Sequence, residues 1–128
     1  MSFSLQATAR TPAITLDETT AILTIAGESY PEDVPAFYEQ VHKAIADYFA
    51  DHQDDFHVHI KLTYFNSSSA RALMELLDML DEEAAEARAI TVMWFCDPDD
   101  DITREFAEDI SADVENLSLT ILDLDSDQ

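Results

Sequence analysis

Apolar and polar residues alternate strictly in "FHVHIKLT" (Phe56–Thr63). Phe56, Val58, Ile60 and Leu62 point one way and His57, His59, Lys61 and Thr63 the other, which predicts a strand with one buried and one polar face. Before it, Val34, Phe37, Tyr38, Val41, Ile45, Tyr48 and Phe49 fall at helical spacing, with Asp33 placed to cap the helix. After it, Ala70, Leu73, Met74, Leu77, Leu80 and Ala84 form the main stripe of a helix from about Ser68 to Ala87. Leu76 and Met79 lie off that stripe and widen its apolar surface. "AITVMWF" (Ala89–Phe95) is apolar on both faces and reads as a central strand.

The flanks are read by the same rules. "PAITLD" and "TAILTIA" are short and β-branched, as in a β-hairpin. The single glycine, Gly27, opens the turn "GESYPED", which Pro31 helps to fix. "CDPDDD" is an acidic turn, with Asp101 placed to cap the short helix "ITREFAEDI". "LSLTILDL" is a last strand. Residues 1–11 read as a loose N-terminal arm and residues 123–128 as an acidic tail. The order ββαβαβαβ implies a single α/β domain with a mixed sheet. Its later half alternates strand and helix, as parallel neighbours joined by right-handed crossovers do.

Composition narrows the functional classes. Six Lys and Arg face 28 Asp and Glu, a net charge of −22 over 128 residues. Such a chain has no basic patch with which to release counterions from phosphates, so nucleic acid and anionic membranes are poor partners. No apolar run approaches the roughly 20 residues of a membrane span. The start "MSFSLQATAR" has neither the basic beginning nor the apolar core of a signal peptide, so a cytoplasmic location is expected. One cysteine, Cys96, permits no internal disulfide. The acids are spread along the chain, as on a solvated surface, although they would also steer the domain toward a basic partner.

Several patterns invite chemistry and fall short of it. His57 and His59 share one side of a strand and could hold a metal with His42, Asp54 or Asp55, which would make the chain a metal-dependent enzyme; a polar outer face explains them as well. Cys96 has acidic neighbours, which raise a thiol pKa and favour a structural role. "DPDDD" lacks the spacing and glycine of a calcium loop. One glycine cannot build a phosphate-binding loop, and no G-x-S-x-G elbow surrounds the serines. No cofactor is expected.

The junction "YFNSSS" (Tyr64–Ser69) is different. Asn and Ser suit the point where a strand gives way to a helix, because their oxygens accept from unpaired N–H groups. One cap would be enough, and four small polar residues exceed that need. A phosphate there would meet the positive end of the helix and add about −1.5 to −2 charges to the surface. The serines are therefore either helix caps or the acceptor of a regulatory phosphate.

The junction, with "RTPAI" (Arg10–Ile14), "GESYPED" (Gly27–Asp33), "YFNSSSARALMELLDMLDE" (Tyr64–Glu82) and "VMWFCDPDDDITREFAEDI" (Val92–Ile110), resembles the SiaC family of regulatory phosphoproteins. That family is STAS-like and related in logic to anti-anti-sigma factors. The resemblance implies a STAS-like sheet with helices mainly on one face. It also implies a partner switch: a Ser/Thr protein kinase adds a phosphate, a PP2C-type phosphatase removes it, and the bare form binds and activates a diguanylate cyclase in the control of biofilms. The family junction usually reads Asn-Thr-Ser-Ser with threonine as acceptor. Ser67 holds that position here, with Ser68 and Ser69 as alternates. Asn66 would shape the junction, and Tyr30, Glu32, Leu76 and Met79 would contribute partner contacts, although Tyr30 and Glu32 also serve the turn and Leu76 and Met79 could be core. A STAS-type antagonist of an anti-sigma factor and a plain interaction module stay open as alternatives.

Overall fold

The computed structural model describes residues 3–124. One six-stranded sheet runs in the order β1 (Phe3–Leu5), β2 (Ala13–Asp17), β3 (Ile22–Ser29), β4 (Phe56–Phe65), β5 (Ile90–Cys96), β6 (Ser118–Asp123). β1, β2 and β3 are antiparallel; β3 to β6 are parallel. The helices α1 (Val34–Asp51), α2 (Ser67–Glu86) and α3 (Asp101–Asp113) make the three crossovers. Each crossover steps to the next strand in the same direction. Right-handed connections therefore put all three helices on one face of the sheet.

The register explains the core. Ile25, Ile60, Trp94 and Ile121 lie side by side, as do Leu23, Val58, Val92 and Leu119. Of these, Ile25, Ile60, Trp94, Leu23, Val58 and Val92 are buried beneath the helices. The neighbouring row, Thr24, His59, Met93 and Thr120, faces the other side. β5 is flanked by strands as expected, but only Ile90, Val92, Trp94 and Cys96 are buried, whereas Thr91, Met93 and Phe95 are half-buried on the face without helices. On α1 the buried residues Val34, Tyr38, Val41, Ile45 and Tyr48 follow the predicted stripe. Full burial of each such side chain contributes roughly 1.5–3 kcal/mol.

Three expectations are corrected. Part of the predicted loose arm is a strand: Phe3 and Leu5 pair with Leu16 and Ile14 and pack against the core, so the order is βββαβαβαβ. The inner face of α2 is Ser69, Ala72, Leu73, Leu76, Leu77 and Leu80, one step round from the predicted stripe, and Met74 is exposed. The cap of α3 is Asp100, whose carboxylate accepts from the Thr103 N–H (3.0 Å) and hydroxyl (2.6 Å), while Asp101 is the first helical residue. Of the predicted acidic tail, Asp123 ends β6 and residues 125–128 lie outside the described residues.

Two charged side chains tie the frame together. Arg88 is buried; it donates to Glu83 Oε2 (2.8 Å) and to the carbonyls of Asp54 and Phe49 (3.2 Å each), and its guanidinium lies 4.3 Å from the Phe49 ring centre. It joins the end of α1, the loop before β4 and the end of α2. Asp81 on α2 accepts from the backbone N–H groups of Glu115, Asn116 and Leu117 and so fixes the turn into β6. Burial pushes the Asp81 carboxyl up, but those hydrogen bonds together outweigh it and hold the group below its ordinary range.

The sign for stability follows. A carboxyl held low stabilises the fold above its unfolded pKa and ceases to do so as pH falls through its folded value. In urea unfolding at pH 7, Asp81→Ala is expected to lose about 1–3 kcal/mol. The wild type is expected to converge on the variant as pH falls below about 4. A constant gap from pH 7 to pH 3 would contradict that role.

Candidate functional site: the strand–helix junction

The junction is built by a break in the sheet ladder. β3 and β4 pair residue for residue as far as Gly27 and Leu62, then the register skips Thr63, so Glu28 pairs with Tyr64 and Ser29 with Phe65. Gly27 sits at φ +117°, a conformation that a side chain disfavours, and the Thr63 hydroxyl donates to its carbonyl (3.3 Å). The extra residue re-phases β4. Phe65 turns in to meet Phe106 of α3 (5.1 Å between ring centres), and Tyr64 turns out, 53% exposed and edge-on to Tyr30 at 5.6 Å.

A closed ring of hydrogen bonds then starts α2. The Asn66 N–H donates to the Ser29 carbonyl (3.1 Å), the Ser29 hydroxyl to Ser69 Oγ (2.9 Å), and the Ser69 N–H to Asn66 Oδ1 (2.8 Å). The Ser29 proton being so used, the Tyr38 hydroxyl donates to Ser29 Oγ (2.7 Å). Burial pushes the Tyr38 phenol up, opposed by the Ser29 bond, so it keeps its proton.

The three serines therefore differ. Asn66 is the cap. Ser69 is wholly buried, so in this fold its hydroxyl is closed to a modifying enzyme. Ser67 and Ser68 are exposed, and neither hydroxyl has a hydrogen-bond partner among the described residues. They open on a cavity of about 730 Å³ between the starts of α1 and α2. Val34, Pro35, Tyr38 and Ala72 give it apolar walls; Glu32, Asp33, Glu39 and Glu75 make it acidic; Arg71 and His42 also line it. Burial pushes the His42 imidazole down, against the pull of Glu75, and its Nε2 is buried without a partner.

The other expected site residues scatter. Glu32 lies at the cavity and pairs with Arg10 Nη1 (2.8 Å), and the Tyr30 N–H donates to the Arg10 carbonyl (2.7 Å), so "RTPAI" and "GESYPED" meet beside the junction. Leu76 is wholly buried and offers no docking surface; Met79 is partly buried against the core. His57 and His59 project from the sheet face opposite the helices. Among the described residues no three His, Cys, Asp or Glu side chains converge as a metal site. Cys96 is buried; burial pushes its thiol up, Arg104 opposes, and Asp100, Asp123 and Glu108 raise it further. The pattern of the sequence missed Ser29, Tyr38, Arg71 and Tyr64. Arg71 alone was legible, one helical turn after Ser67.

This arrangement is an α/β domain with two exposed serine side chains at a strand–helix junction. Solved structures share the fold. Apo-SiaC from Pseudomonas aeruginosa superposes with a TM-score of 0.86 at 30% identity, covering 95% of this chain and 98% of that one. SiaC in the crystal structure of the diguanylate cyclase SiaD in complex with its activator SiaC, from the same organism, gives 0.89 at 30% identity, covering 95% and 99%. An uncharacterized protein of Pseudomonas aeruginosa strain UCBPP-PA14 is 33% identical over 106 residues, 83% of this chain and 84% of that protein. Residues 5–124 match the SiaC family regulatory phosphoprotein, and the chain belongs to that family.

The contrast between the serines is measurable. Ser69→Ala leaves the Ser29 hydroxyl without its buried acceptor and is expected to cost about 1–2 kcal/mol in urea unfolding. Asn66→Ala is expected to cost about 1 kcal/mol as a lost cap. Ser67→Ala is expected to stay within about 0.5 kcal/mol. Equal losses for Ser67→Ala and Ser69→Ala would contradict the assignment.

Proposed function

We propose that this chain is a non-enzymatic, phosphorylation-gated activator of a diguanylate cyclase in the cytoplasm. The observation that carries the reading is the exposure of the unpartnered Ser67 hydroxyl at the mouth of the junction cavity, while its neighbour Ser69 is locked inside. A Ser/Thr protein kinase transfers the terminal phosphoryl group of a nucleoside triphosphate to Ser67 Oγ. The new O–P bond replaces the bond to the nucleoside diphosphate, and the hydroxyl proton leaves to a base of the kinase. A PP2C-type phosphatase reverses the modification by hydrolysis. The bare chain docks on the cyclase through the surface around Ser67, with Tyr30, Tyr64 and Glu32 at its edge. The added dianion and its hydration break that contact. Family membership and the SiaD–SiaC complex of the relative support the choice of a cyclase over an anti-sigma factor.

Cyclic di-GMP synthesis by the cognate cyclase tests the reading. The bare chain is expected to raise it, and stoichiometric phosphorylation to cut the activation about tenfold or more, a loss of at least ~1.4 kcal/mol in binding. Ser67→Ala is expected to stay active in the presence of kinase and nucleoside triphosphate. Activation unchanged by phosphate, or a cyclase indifferent to the bare chain, would overturn it.

A further inference from the structure

We propose that Arg71 is the chain's own receptor for the phosphate at the junction, folding it back over the cavity; this rests on the reading of Ser67 as the acceptor. Arginine is scarce in this chain, and the others are engaged: Arg10 with Glu32, Arg88 with Glu83 and Arg104 with Asp123. Arg71 makes no hydrogen bond or ion pair among the described residues, although Glu75 lies one helical turn further on and lines the same cavity. Arg71 is exposed and lines the cavity into which Ser67 and Ser68 open.

The spacing suits capture. Ser67 and Arg71 stand at i and i+4 of α2, where Cβ atoms lie about 5–6 Å apart and an anion N-terminal to a cation is the favoured order. Ser68 and Arg71 stand at i and i+3, so Ser68 is served by the same guanidinium. A phosphate takes Arg in a bidentate pair. Arg71 is the only lysine or arginine among the residues that line the cavity. Glu32, Asp33 and Glu39 face it from the loop and α1, and Glu75 from α2. His42 of α1, with its imidazole pushed down by burial, is neutral near pH 7. Phosphate repelled by four carboxylates and drawn by one arginine settles against Arg71, which fastens it across the cavity mouth and takes the guanidinium away from any docking partner.

The test uses the full chain with phosphoserine encoded at position 67, followed by 31P NMR through the second ionisation of the phosphate, which lies near pH 6 when unperturbed. Arg71→Gln is expected to raise the titration midpoint by roughly 0.5–1 pH unit, and Arg71→Lys to raise it by less. Both variants lie on the helix surface, and circular dichroism checks that they fold. Midpoints that coincide in wild type and Arg71→Gln would overturn the proposal. So would a midpoint in Arg71→Lys as high as in Arg71→Gln. Because the phosphate is encoded, these results are separate from a failure of Ser67 as the physiological acceptor, which intact mass after kinase treatment reads independently.

Discussion

The ring of hydrogen bonds through Ser29, Asn66 and Ser69 is the constraint on which the junction depends. It ties the last residue of β3 to the first turn of α2 and satisfies the Ser69 N–H, one of the groups that the start of a helix would otherwise leave unpaired. Once Asn66 is the cap and Ser69 the inward anchor, Ser67 and Ser68 have no structural duty. Their side chains are held at the surface by a helix whose opposite face is core. A group added to either hydroxyl breaks none of the hydrogen bonds of the ring.

The sheet makes this possible from a distance. The register skip opposite Gly27 turns Tyr64 outward and Phe65 inward, and so sets the direction from which the chain enters α2. Arg88 and Asp81 hold the far ends of α1 and α2 and the turn into β6, so the two helix starts that frame the cavity are braced from behind. All three helices pack on one face because every crossover steps the same way. That leaves the row of Thr24, His59, Met93 and Thr120 on the other face, where Lys61 lies over the Phe95 ring at 5.2 Å.

Much of this was legible in the sequence, where the signal is local. The alternation of Phe56–Thr63, the α1 stripe and the polar junction all arise from neighbours within a few residues, and the structure places them as the pattern predicts. What was hidden depends on partners far along the chain. Ser29 reaches Ser69 across 40 positions and Arg88 reaches Phe49 across 39. The same is true of β1, a polar-looking stretch whose Phe3 and Leu5 are recruited by Leu16 and Ile14. On α2 an excess of apolar residues allowed two phases of the helix. The buried Ser69, a polar residue on the inner face, belongs to the phase that simple hydrophobicity disfavours. For that reason Leu76 is core rather than a partner contact, and Met74, placed in the predicted stripe, is exposed.

The most direct measurement is tandem mass spectrometry of the native chain after stoichiometric modification by its kinase, with each of the three serines resolved. The account predicts phosphate on Ser67, with Ser68 the only alternate, and none on Ser69. Phosphate on Ser69 in the folded protein would contradict it, because that hydroxyl could be reached only by opening the ring that holds the junction together.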